Sequence, residues 1–216
     1  MVRSLGDTVH YAGELQLNAQ ALLEDAQLLF NHGRWARAFA LSVLAEEEAG
    51  KALLAIAEQL PGDDLADLKP KRHEDKLTAT ALTGIAFLGD LGDIQDKARQ
   101  IDSGALHREK LAALYVDHGP DGLQSPTSIT RERATQALSR SRKLIGWMTE
   151  HLGQLTPEAI DAAIQLETYL TPKMEDYFRE HGEAAGLDLL RQMMDWSLAQ
   201  ARGELSTCIA SPGAAG

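Results

Sequence analysis

Cysteine is nearly missing from this chain: Cys208 is the only one in 216 residues. No disulfide framework can form, and a reducing, cytoplasmic setting is the expected compartment. Aromatic residues are scarce at 5%, while alanine and leucine dominate, which favours packed helices over a β-sandwich. The opening residues MVRSLGDTVHY lack the apolar core of a signal peptide. Nowhere is there an unbroken apolar run of the roughly 18 residues that a spanning helix needs, so neither secretion nor a membrane is expected. Positive charge is also in deficit, at 21 Lys and Arg against 32 Asp and Glu, for a net charge of -11. Long-range steering toward nucleic acid is disfavoured by that balance, although local basic patches remain open. No glutamate is followed three residues later by histidine, as carboxylate-bridged metal bundles require. Cys/His sets for zinc, a glycine-rich phosphate loop and a strand–turn–helix elbow for a serine nucleophile are missing too. Neither a metal nor a cofactor is expected.

What the chain does have is one dominant stretch, Arg34 to Leu60, reading RWARAFALSVLAEEEAGKALLAIAEQL. It holds no proline and many strong helix formers, so it is predicted as one long helix. Apolar nearly all round, it belongs inside a bundle. Glu46, Glu47, Glu48 and Lys51 interrupt it. Charges in a buried helix are costly unless paired, so these residues demand partners from elsewhere in the chain. Glu47 and Lys51 are four apart in the favourable orientation, and a simple pair between them at a surface is the plain alternative.

Around this helix the pattern predicts others. Residues 1–8 read as a frayed lead, and Val9 to Asn31 as an amphipathic helix ended by Asn31-His32-Gly33 and folded back on the central helix as a hairpin. A helix from Pro70 carries Lys71, Arg72, His73 and Lys76 ahead of an apolar run to Leu88. Residues 93–103 are weakly patterned and read as a loop with a helical turn. Ala105 to Val116 reads as a short helix, followed by the turn-rich Asp117 to Pro126. Thr130 caps a helix running to about Leu152, and Thr156-Pro157-Glu158 starts another. Further helices are expected over Pro172–His181 and Glu183–Leu205, with a disordered tail at 210–216. The fold is all-α. Two basic patches, one from Lys69 to Lys76 and one comprising Arg131, Arg133, Arg140, Arg142 and Lys143, read as solvated helix faces.

Three groups carry candidate chemistry. The first is Glu46, Glu47, Glu48 and Lys51. The second is His73 and Lys76, one helical turn apart beside Arg72, which could meet those acids across two helices. The third is Arg108, Lys110, Tyr115 and Asp117, before a rigid Gly- and Pro-rich turn. Tyr115 brings a ring to pack and a hydroxyl that wants a partner. Asp117 opposes the helix dipole at a helix end and so suits a turn-holding role. A pocket around Glu47, Lys51, His73, Lys76 and Tyr115 could bind a protein or RNA. It could instead cleave RNA, with His73 as base or acid and Lys51 or Lys76 stabilising the phosphate. As a third reading, the polar cluster only fixes helix register.

The hairpin with its tight glycine turn, followed by AFALSVLAEEEAGK (Ala38 to Lys51), resembles the AbiV family of bacterial abortive-infection proteins, related to the wider HEPN superfamily of helical bundles. His73 and Lys76 match that family's His-x-x-Lys, and Leu114-Tyr115-Val116-Asp117 after Lys110 matches its Leu-Tyr-Val-Asp segment. The agreement runs over roughly residues 10–150. The resemblance implies an up-down HEPN-like bundle over residues 1–155, with extra C-terminal helices at 156–209. It implies a cytoplasmic, homodimeric phage-defence protein that blocks growth or translation in infected cells by engaging a phage or host protein, or RNA. Many HEPN proteins are ribonucleases using Arg, four to six residues, then His. Here Arg3 and His10 meet that spacing only in the lead, and Arg142 and His151 lie too far apart.

Overall fold

The computed structural model describes residues 4–59, 68–69, 71–88, 91–119, 122–152, 154–161 and 164, with the backbone alone at 82–88, 91–95, 117, 119 and 124. The chain divides into two compact units, 1–168 and 169–216. Everything described lies in the first. The helices expected from Pro172 onward, and the tail, fall outside the described residues.

Helix α1 spans Leu5–Asn31 and helix α2 spans Trp35–Ala57. The lead is therefore helical from Leu5, earlier than apolar periodicity suggests. Ser4 and Asp7 supply the reason: the Asp7 amide donates to Ser4 Oγ at 3.1 Å, and Ser4 Oγ donates to the Asp7 carboxylate at 2.7 Å. This reciprocal cap satisfies a backbone donor that a helix start leaves orphaned. Gly33, at φ 71°, makes the turn between α1 and α2, a conformation glycine adopts without the usual Cβ penalty. The helices then run back antiparallel, with Asn18 reaching Glu48 and Tyr11 lying under Lys51 at the end away from the turn. Alanines 12, 19 and 26 of α1 and 45, 49 and 52 of α2 are buried, and their small size lets the two helices pack closely.

Helix α3 is His73–Leu88, α4 is Leu91–Asp102, α5 is Ala105–Leu114 and α6 is Arg131–Leu152. Here α4 corrects the loop expected at 93–103. Its inward face presents Lys97 and Ile101, both buried, and a lysine in place of an apolar residue removes the periodic signal on which sequence reading relies. Helix α5 stops at Leu114, with Tyr115 already extended. Within the turn-rich segment, strands β1 (Asp117–Gly119) and β2 (Gly122–Gln124) form a small antiparallel ribbon. It is the sole sheet among the described residues, a minor addition to an otherwise helical chain. Thr130 Oγ1 accepts from the Arg133 amide at 3.2 Å and Thr156 Oγ1 from the Ala159 amide at 3.2 Å, so both expected helix starts are capped as read.

Helix α2 lies at the centre. Its first half, with Phe39, Ala40 and Val43, packs on Leu77 and Ala81 of α3, Leu106 and Ala113 of α5 and Ala134 and Ala137 of α6. Its second half meets Ala12, Leu15 and Ala19 of α1 and Leu144, Ile145 and Met148 of α6. Helix α6 runs antiparallel to α1, shown by Gln20 bonding Thr149 and Arg142 bonding Gln27. Where the two apolar clusters meet on α2 stand the three glutamates.

Candidate functional site

Successive residues of a helix point about 100° apart, so three adjacent glutamates on a central helix cannot share one partner. Each finds its own. Glu48 turns toward α1, where Asn18 donates to it at 3.1 Å and Lys51 lies 3.8 Å away. Glu46 turns toward α4 and α6. It is fully buried, with Arg140 Nε donating to Oε1 at 2.9 Å and Lys97 Nζ 2.8 Å from Oε2. The Ser141 hydroxyl sits 2.9 Å from Glu46 Oε1 and 2.9 Å from the Ala137 carbonyl, donating to one at a time. Burial pushes the Glu46 carboxyl up, but Arg140 and Lys97 more than reverse this and hold it at about 2. Lys97 moves the other way: burial lowers its ammonium pKa further than Glu46 can restore it, and the like charge of Arg140 adds to the fall.

Glu47 turns toward α3 and α5. Lys110 Nζ donates to its Oε1 at 2.5 Å, His73 Nδ1 bonds its Oε2 at 2.7 Å, and Lys76 Nζ lies 3.8 Å from Oε2. The carboxylate can only accept from the imidazole, which fixes Nδ1 as the protonated nitrogen and leaves Nε2 to face away. Glu47, Lys110 and Lys76 are all buried, whereas the His73 side chain is 46% exposed. His107, one turn before Lys110 on α5, brings its ring within 5.1 Å of the His73 ring at a 35° tilt. Burial, Lys110 and His73 lower the His107 pKa, against the opposing pull of Glu47 and Glu74.

A glycine makes this approach of α2 to α3 feasible. A Cβ on Gly50 would stand 2.0 Å from the Lys76 carbonyl oxygen and 2.7 Å from its carbon. No side chain fits between the two backbones there. Gly50 thus sets Lys76, and with it the first turn of α3, directly against the acidic stretch.

Of the expected site residues, Glu47, His73, Lys76 and Lys110 come together. Glu46 forms a separate cluster. Lys51 stays out of both, since it pairs with Glu48 instead of Glu47 and lies 5.8 Å from the Tyr11 ring centroid. Arg72 lies 3.8 Å from Asp75, largely in solvent, and Arg108 donates to the Ser103 carbonyl at 3.0 Å. Tyr115 is 62% exposed and does not join the cluster, because α5 has ended before it. Asp117 opens β1 opposite Gln124, and its side chain is outside the described residues. Sequence reading passed over Lys97, His107 and Ser141. Arg140 was assigned to a solvated face, which its bond to Glu46 corrects. The available signal was the divergence of the acids themselves: two buried carboxylates facing apart require two sets of cations. Arg133 is likewise engaged, donating to both oxygens of Glu109 at 2.7 and 2.5 Å and standing 5.1 Å from the Phe39 ring centroid. Among the described residues no helix is long and apolar enough to cross a membrane, and no three His, Cys, Asp or Glu gather as a metal site would need.

A bundle of helices closed around a central hairpin, with an acid–base cluster at its middle, agrees with the HEPN type that the family match gives. The chain belongs to the AbiV family of that type, whose family profile, described as AbiV, matches residues 10–147. Membership implies a part in abortive infection, a defence against phage. Comparisons with curated proteins and with solved structures each found no match.

Proposed function

We propose that the protein blocks growth or translation in infected cells from the cytoplasm, and that the cluster around Glu47 is the surface through which it acts. The observation that carries this reading is the charge balance at Glu47. One buried carboxylate gathers two buried lysines and a half-exposed histidine, which sets two cations and a carboxylate directly behind an imidazole that reaches solvent. A surface of that kind suits an anionic target, RNA above all, and is local enough to coexist with a net charge of -11. A homodimer, as the resemblance implies, is part of the proposal, and sedimentation velocity checks it.

The test is a plating assay in cells expressing wild-type protein or His73→Ala. His73 is half exposed and Glu47 keeps Lys110, so the variant should still fold, at a cost of about 1–3 kcal/mol for the lost bond, and lose protection. Full protection by a folded His73→Ala protein refutes the reading.

A second reading has its own support. A histidine oriented by a buried carboxylate, with cations beside it, is the arrangement of a general acid or base. On this reading the protein is a ribonuclease that needs no metal, because side chains supply both proton transfer and charge neutralisation. RNA incubated with purified protein in chelator should be cut, and His73→Ala should stop the cut.

A further inference from the structure

Transesterification at an RNA phosphodiester needs two proton transfers, one from the attacking 2′-hydroxyl and one to the departing 5′-oxygen. A single imidazole cannot stand on both sides of phosphorus at once. His73 supplies one group, and the structure places another beside it. His107 projects from α5 one turn ahead of Lys110, its ring centroid 5.1 Å from that of His73. Its Nδ1 is buried with no hydrogen-bond partner among the described residues, so no protein contact there fixes the tautomer and Nε2 is the nitrogen left for a substrate. This is unlike His73, which Glu47 ties down.

Resting on the ribonuclease reading, we infer that His107 is the second proton-transfer residue of this site, working opposite His73 on the phosphodiester of RNA. The surroundings of the two rings divide the roles. Glu47 accepts from His73 Nδ1, which leaves Nε2 to carry the proton that is delivered, so His73 is assigned as the acid. His107 faces Lys110 on its own helix, His73 and Glu74 on α3, and Glu47 on α2; burial, Lys110 and His73 lower its pKa, the direction that suits a base, and it is assigned as the base. His107 takes the 2′-hydroxyl proton while the 2′-oxygen bonds phosphorus. The bond from phosphorus to the 5′-oxygen breaks, and His73 gives that oxygen its proton. Products are a 2′,3′-cyclic phosphate and a free 5′-hydroxyl, with no co-reactant beyond the RNA. Lys76, held near Glu47 at 3.8 Å by charge alone, can turn toward the phosphoryl oxygens.

The experiment measures single-turnover cleavage of an RNA oligonucleotide in chelator against pH, for wild type, His107→Ala, His107→Gln and His73→Ala. Wild type should give a bell-shaped profile and a cyclic phosphate end, and a substrate with a 2′-deoxy residue at the cut should survive. Both His107 variants should lose about 100-fold or more in rate and lose the acidic limb of the bell, which a merely structural role would leave in place. No cleavage by wild type overturns the ribonuclease reading and this inference with it. Cleavage with the acidic limb intact in a folded His107 variant overturns the inference alone. Histidine NMR titration of wild type covers the case of variants that do not fold. There the His107 resonance must shift on addition of the 2′-deoxy oligonucleotide, and an unmoved His107 resonance overturns the assignment.

Discussion

Neutralising Glu46 should be among the most damaging single changes in this chain. Glu46→Gln keeps the shape of the side chain and removes its charge, leaving Lys97, 3% exposed, and Arg140 facing each other without an anion. Breaking a buried ion pair from one side typically costs about 3–5 kcal/mol. The carboxyl itself gives a second route to the figure: a fall from 4.5 to about 2 corresponds to about 3 kcal/mol at neutral pH, at roughly 1.4 kcal/mol per unit. Lys97 offsets some of this, because its own pKa is lowered by burial. A loss of about 3 kcal/mol is therefore expected, or roughly 6–12 °C in melting temperature for a unit of this size. The folded pKa of Glu46 lies below its unfolded one, so its stabilisation is complete above pH 4.5 and drains away as pH falls toward 2. Urea unfolding followed by circular dichroism at pH 7 and pH 3 measures both effects. The gap between wild type and Glu46→Gln should shrink on acidification. Adding Lys97→Met to Glu46→Gln should recover part of the loss, since it removes the stranded cation. A gap under about 1 kcal/mol at pH 7, or one that does not change with pH, refutes the reasoning.

Three further substitutions test the scaffold. Gly50→Ala drives a methyl group into the Lys76 carbonyl, and the separation of α2 from α3 should lower stability by about 2 kcal/mol or more in a thermal melt. Arg133→Ala frees Glu109 and uncovers Phe39, an expected loss of about 1–2 kcal/mol by urea unfolding, of which Arg133→Lys restores only a part because a point charge cannot span both carboxylate oxygens. Thr130→Ala should cost about 1 kcal/mol through the lost cap of α6.

How much of this was legible in the residues depended on what each element buries. The central helix was plain, because a run apolar on every side has few places to go, and Gly33 gave the hairpin away. The meeting of Glu47 with His73 and Lys76 could be anticipated from one demand, that a buried acid must be satisfied. The same demand was under-applied to Glu46. Its cations come from α4, whose inward lysine disguises a helix as a loop, and from Arg140, which on an amphipathic helix looks like any solvated base. Lys51 went the opposite way. Its spacing from Glu47 suggested a pair, yet Glu48 and the Tyr11 ring drew it to α1. Tyr115 and Val116 lay beyond the reach of periodicity, since where a helix stops within two residues is seldom written in its pattern.

The separation in sequence between Glu46 and its second cation carries a consequence for biosynthesis. Arg140 lies 94 positions downstream, so a chain emerging from the ribosome holds that acid half-answered until most of the first unit has been made. Lys110, which donates to Glu47, lies 63 positions on, so the cluster around Glu47 could gather before the interior is locked. A fragment cut ahead of α6 would keep the residues of the Glu47 cluster and lack the clamp that Arg140 and Ser141 close on Glu46. The smallest piece able to stand alone should therefore extend beyond Met148, close to where the family match itself ends.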